Sequence, residues 1–211
     1  MSARADTEDS VAAHPVLRGI VGQPRAQAKL SRFVDSPVHA YLFVGPAGSG
    51  KRAAARAFSA ALLCPNGGCG ECAACIAVLS GQHPDVVAVE RQGASISVEE
   101  AREIAQQAQL TPRVADRQVL VLTEFHLVDE AGAALLKTIE EPPDSTVLVV
   151  LADVRTPALE TIASRCVDVE FVPIDSDAIA EALRGDGVVP SVASAAATGA
   201  RGSLDRARLL A

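Results

Sequence analysis

Gly45-Pro46-Ala47-Gly48-Ser49-Gly50-Lys51-Arg52 follows the apolar run Ala40-Tyr41-Leu42-Phe43-Val44 and leads into an alanine-rich segment of helical character. Strand, glycine-rich turn and helix in that order make a phosphate-binding loop. The glycines let successive backbone N–H groups curl around an anion at a helix N-terminus, and Lys51 supplies a point charge for the outer phosphates. Gly45, Gly48, Gly50 and Lys51 are therefore the candidate nucleotide contacts. Position 52 departs from the pattern. A serine or threonine there would put a hydroxyl on Mg²⁺, whereas arginine has five donors and no acceptor and ligates no cation.

Outward from the loop, strands and helices alternate. Pro24 suits the first position of a helix to about Val34, ahead of the loop's strand. Asp85–Glu90 is a short apolar strand, and Ser97-Val98-Glu99-Glu100 is a capping box opening a helix to about Leu110. Gln118–Thr123 and Thr146–Leu151 are apolar runs of the kind buried on both faces of a parallel sheet. Between them Asp129 caps a helix that ends at Pro142 and Pro143. Thr156-Pro157 starts a short helix, and Val167–Val172 is the last strand. This order predicts an α/β fold with a parallel sheet covered by helices and a ligand crevice at the strand ends. Residues 1–13 are polar and without periodicity, and read as a disordered tail. The α/β domain spans 14–173. From 174 to 211 only helical signals remain, a second, smaller unit.

Cys64, Cys69, Cys72 and Cys75 read C-x4-C-x2-C-x2-C, with Gly67, Gly68 and Gly70 supplying tight turns. Four thiolates at this spacing converge on one tetrahedral Zn²⁺, and a closed set of four cysteines leaves no open position for substrate, so the zinc is structural. The same four cysteines as reduced surface thiols are the alternative.

Composition narrows the classes. Hydrophobic residues are 49% of the chain, aromatics only 3% with no Trp, and the net charge is −7. The core is accordingly expected to consist of Ala, Val, Leu and Ile. A chain that coats single strands would need stacking aromatics and a basic face. No apolar stretch reaches the length of a membrane span, and the N-terminus has no apolar signal region, which places the chain in the cytoplasm.

Hydrolysis needs a second metal contact, an Asp at the end of another strand. In Val119-Leu120-Val121-Leu122-Thr123-Glu124 that position is Thr123. With Arg52 and Thr123 in the two metal-contact positions, independent ATP hydrolysis is not expected. Retention of ATP or ADP on the degenerate loop stays open.

Several stretches taken together resemble one family. They are His39-Ala40-Tyr41-Leu42-Phe43-Val44-Gly45-Pro46, the four-cysteine insert, His83-Pro84-Asp85, the run Ala133-Ala134-Leu135-Leu136-Lys137-Thr138-Ile139-Glu140-Glu141-Pro142-Pro143, and Ser164-Arg165-Cys166. They are similar to the bacterial sliding-clamp loader, and within it to the delta-prime subunit of DNA polymerase III more than to the ATP-hydrolysing tau/gamma subunit. The resemblance implies an AAA+ module and a small helical lid domain at 174–211. It also implies a C-terminal collar domain, which is expected to be absent because the sequence stops at Ala211. Implied partners are the tau/gamma and delta subunits in a hetero-pentamer and, through that complex, the sliding clamp and primer-template DNA.

The same resemblance makes Arg165 an arginine finger acting in trans on a neighbour's ATP. Residue type alone equally suits an arginine at a helix C-terminus. His126 matches a strand-end position without a role of its own. Asp153 stands where active relatives have a polar sensor, and its charge would repel phosphate. At the second sensor the arginine position holds Asp205, and Arg206 is displaced by one residue, about 100° around a helix. The resulting expectation is a non-hydrolysing delta-prime subunit. Its rivals are a tau/gamma-like P-loop ATPase and a zinc-module nucleic-acid binder. Against the second, the Cys64–Cys75 insert contains Glu71 and no Lys or Arg.

Overall fold

The computed structural model describes residues 14–90, 96–125 and 132–211. The tail at 1–13, His126 and the Asp129 cap lie outside the described residues. Five strands, β1 (Ala40–Val44), β2 (Val86–Val89), β3 (Gln118–Leu122), β4 (Thr146–Ala152) and β5 (Val167–Glu170), form one sheet in the order β2-β3-β4-β1-β5. Every pairing is parallel. β1, β3 and β4 are buried throughout, whereas the edge strand β2 is partly exposed.

Helices cover both faces. α1 (Pro24–Ser31), α2 (Lys51–Leu63) and α3 (Ala73–Leu79) pack with the short 3-10 helix Pro15–Gly19 on one side. α4 (Val98–Ala108), α5 (Gly132–Glu140) and α6 (Pro157–Ala163) cover the other. The pleat divides β1 between them: Tyr41 and Phe43 face the first layer, and Ala40, Leu42 and Val44 the second. α4 opens with the capping box read from sequence, Ser97 Oγ accepting from Glu100 N and Glu100 Oε2 from Ser97 N. α3 has no counterpart in the sequence reading.

The core differs from expectation in one respect. Aromatics are few but concentrated: Tyr41, Phe43, Phe58 and Phe125 are among the largest fully buried side chains. Tyr41 meets Phe58 edge-on at 4.8 Å and Phe33 at 5.6 Å, a geometry worth about 0.5–1.5 kcal/mol per pair beyond burial. In a chain this rich in alanine, a few large rings fill the volume beside α2.

α7 (Ser176–Gly185), α8 (Pro190–Ala200) and α9 (Leu204–Leu210) bury a separate cluster around Ile179, Leu183 and Leu204. Asp175 caps α7, its side chain accepting from Asp177 N. This helical unit touches the sheet domain where Leu204 N donates to Gly48 O at 3.1 Å. No helix among the described residues is long and apolar enough to cross a membrane.

Candidate functional site

The loop after β1 has the backbone of a phosphate cradle. Gly48 and Gly50 take φ of +77° and +88°, a region open to glycine at no steric cost. A Cβ on Gly48 would also lie 1.9 Å from Ser203 Oγ, so the start of α9 sits directly on the loop. Gln23, buried just before α1, ties the loop to the segment that follows β5. Its Nε2 donates to Ser49 O (3.0 Å) and Val172 O (2.6 Å), and its Oε1 accepts from Val172 N (3.2 Å).

The amine of Lys51 is engaged by the chain's own acceptors. It is 6% exposed, and Nζ lies 2.5 Å from Gly45 O, 2.8 Å from Pro46 O and 2.9 Å from Asp153 Oδ1. An ammonium has three N–H donors, and three acceptors of the chain itself engage them. The sheet register causes this. Val44 pairs with Ala152, so the residues after each, the loop and Asp153, leave the sheet side by side. Asp153 was expected to repel phosphate. In the structure it pairs with Lys51.

The cleft above the loop has a volume of about 260 Å³ and is lined by three cations and three carboxylates: Lys51, Arg52 and Arg208 with Glu124, Asp153 and Asp205. Each cation is paired. Arg52 lies 3.4 Å from Glu90 and 3.9 Å from Glu124, and Arg208 donates to Asp186 at 3.0 Å. Thr123 is buried, its hydroxyl donating to Val89 O at 3.2 Å. A polyphosphate entering this cleft would have to displace carboxylates from every cation it used.

The cysteines converge as the spacing requires. Their sulfurs all lie within 4.8 Å of one another, Cys64 Sγ being 3.7 Å from Cys69 Sγ and 3.6 Å from Cys72 Sγ. A Zn–S bond of about 2.3 Å sets tetrahedral sulfur–sulfur edges of about 3.8 Å, so the set can hold one such ion. Gly68, at φ +93°, lets the insert pass Val16 and Ala61, where a Cβ would come within 3.0 Å. Burial favours the protonated Cys64, but the backbone N–H groups of Cys69, Gly68 and Asn66 outweigh it and bring the thiol down to about 6. Cys75 is pushed upward, by burial first and then, against the Gly70 N–H, by the neighbouring sulfurs. Clustered thiols that resist sharing negative charge are the situation a bound cation relieves.

Arg165 follows α6. Its Nε donates to Glu140, the last residue of α5, and its Nη1 donates to Thr161 O (2.6 Å) and Ser164 Oγ (3.0 Å). The Thr161 bond is the helix-end contact that residue type alone suggests. Nη2 has no partner among the described residues, and the side chain is 34% exposed.

The sequence profile described as "DNA polymerase III, delta subunit" matches residues 22–175. The chain belongs to the DNA polymerase III delta-prime/clamp-loader family. It is 40% identical over 136 residues to DNA polymerase III subunit delta' of Pseudomonas aeruginosa, covering 61% of this chain and 42% of that protein. It is 31% identical over 177 residues to subunit delta' of Bacillus subtilis, covering 81% and 54%. With subunit tau of Bacillus subtilis it shares 35% over 181 residues, 79% of this chain and 32% of that protein. The chain therefore spans about half or less of these relatives.

Among solved structures, a DNA polymerase III gamma subunit-related protein of Thermotoga maritima aligns with a TM-score of 0.56 at 20% identity, covering 88% of this chain and 58% of that one. RuvB of the same organism aligns at 0.62 and 19%, covering 92% and 63%. The fold of this clamp-loader family chain is the AAA+ type that its sequence implied. Three features of the site escaped the sequence reading: the Lys51–Asp153 pair, the Gln23 tie and the position of Arg208 in the cleft. Arg206, given no sensor role from sequence, is exposed and does not line the cleft.

Proposed function

We propose that this chain is the non-hydrolysing, delta-prime-type subunit of a DNA polymerase III clamp loader. It sets Arg165 against the ATP of a neighbouring tau/gamma-type subunit, in a hetero-pentamer with delta that loads the sliding clamp on primer-template DNA in the cytoplasm. Residues 14–173 are its AAA+ domain and 174–211 its lid. Cys64, Cys69, Cys72 and Cys75 hold a structural Zn²⁺ that staples the insert to α2 and to the 3-10 helix Pro15–Gly19.

The observation that carries this reading is the closure of the chain's own phosphate site. Lys51 is held by Gly45 O, Pro46 O and Asp153, while Arg52 has no acceptor for a metal and Thr123 is a buried hydroxyl turned to Val89 O where a carboxylate would be needed. A subunit without its own chemistry contributes in trans, and a fixed cation beside a neighbour's γ-phosphate stabilises charge that develops in the transition state. Arg165, partly exposed and without a partner at Nη2 among the described residues, suits this role. Turnover of the chain alone, beside turnover of a reconstituted loader with and without it, tests the proposal. No turnover alone and stimulation of the loader are expected. Turnover alone that Lys51→Ala abolishes would make the chain a self-sufficient ATPase.

A further inference from the structure

We infer that Glu140 is the positioning residue for Arg165, an inference that rests on Arg165 acting in trans. A guanidinium carries one N–H at Nε and two at each Nη. Glu140 takes the first, and Thr161 O and Ser164 Oγ take both at Nη1. The two donors of Nη2 have no partner among the described residues. The three acceptors do not act alike. Thr161 and Ser164 belong to the same turn as Arg165 and move with it. Glu140 holds Nε from a different helix and fixes where the guanidinium of that turn lies.

Glu140 also connects two elements, since it ends α5 while Thr161 belongs to α6 and Ser164 caps it. A shift of α5 therefore reaches the guanidinium through one side chain. A carboxylate beside an incoming γ-phosphate adds no attraction for it. Its contribution is orientation, gained before the anion arrives, and an aimed cation needs no rearrangement as charge develops. The side chains of Glu140 and Arg165 are 42% and 34% exposed, so the pair contributes little to the stability of the fold itself.

The test uses the full-length subunit in the assembled loader, with ATP as substrate and the loader's other ATP sites silenced by substitution of their P-loop lysines. Glu140→Ala is expected to lower kcat about 10- to 100-fold, the scale of a misplaced catalytic group. KM for ATP should change by less than about threefold, since binding is not what is lost. Glu140→Gln keeps an acceptor for Nε and should return kcat to within about threefold of the parent. In the Arg165→Ala background, Glu140→Ala should add no further loss, because the two act as a unit. A parental kcat in Glu140→Ala, a Glu140→Gln variant as slow as Glu140→Ala, additive losses, or failed assembly each overturn the positioning role. In all four cases a slow Arg165→Ala loader leaves the finger reading standing. A parental rate in Arg165→Ala sinks the finger reading and this inference with it.

Discussion

Lys51→Ala separates a closed phosphate loop from a working one without measuring any catalysis. In a loop built for nucleotide, removing the lysine costs ligand affinity and leaves the empty protein's stability nearly unchanged. Here it removes a side chain that is 6% exposed and the donor to three acceptors of the chain. Each of the two backbone carbonyls loses a hydrogen bond worth about 0.5–1.5 kcal/mol net. Breaking a fully buried ion pair costs about 3–5 kcal/mol. Asp153 is 37% exposed, however, and water takes over part of its solvation, which leaves about 1 kcal/mol for the pair. The sum, about 2–4 kcal/mol, corresponds to a fall in Tm of about 4–16 °C at 2–4 °C per kcal/mol for a chain of this size. Differential scanning fluorimetry without nucleotide measures it. In parallel, ATP at 100 times a dissociation constant would stabilise a binding-competent parent by about 2.7 kcal/mol, and no such gain is expected at 1 mM. A variant melting with the parent, or a parent stabilised by ATP in a Lys51-dependent way, refutes the closed-loop account.

Zinc analysis of protein prepared without chelator should give one metal per chain. Cys72→Ser should abolish it, raising amide exchange across residues 64–79 while the sheet stays protected; a stoichiometry well below one contradicts the four-cysteine site. Asp85 is 2% exposed, and its carboxylate accepts from the backbone N–H groups of Arg113, Val114 and Ala115 at 2.5–2.8 Å. Burial alone would raise its pKa, but these bonds outweigh it and hold the carboxyl below its usual value. A depressed folded pKa gives stability that is present above the unfolded value of about 3.9 and is lost as pH falls through the folded one. Asp85→Asn should therefore cost about 1–3 kcal/mol in urea unfolding at pH 7, with the gap to the parent closing below about pH 4. A gap independent of pH would assign the effect to packing.

The strands were legible because β1, β3 and β4 are buried on both faces and read as unbroken apolar runs. The phosphate loop and the cysteine cluster were legible because their chemistry depends on local spacing. What escaped was non-local or unconventional. Lys51 and Asp153 are far apart in sequence, and only the pairing of β1 with β4 brings them together. α3 escaped because its N-cap is Cys72, whose Sγ accepts from Cys75 N at 3.5 Å, a weak acceptor in a position where Ser, Thr, Asp or Asn gives the readable signal. Gln23 reads as a surface residue until β5 is placed beside α1. Arg208 faces the cleft through the docking of α9 on Gly48, a contact no periodicity encodes. Arg165 was singled out by resemblance, and its partner Glu140, though inside the most specific run of that resemblance, carried no signal of pairing.

On the proposed function, this chain acts on a neighbour's ATP through Arg165. Arg165→Ala in the full-length subunit, with assembly followed by gel filtration and DNA- and clamp-stimulated ATPase measured in the same preparation, tests it most directly. The account predicts normal assembly and a partial loss of total turnover, with the affected site slowed by about 10³- to 10⁵-fold, the range over which arginine fingers act in nucleotide hydrolases. Normal assembly with unchanged ATPase and clamp loading would contradict it and leave Arg165 as the cation that closes the end of α6.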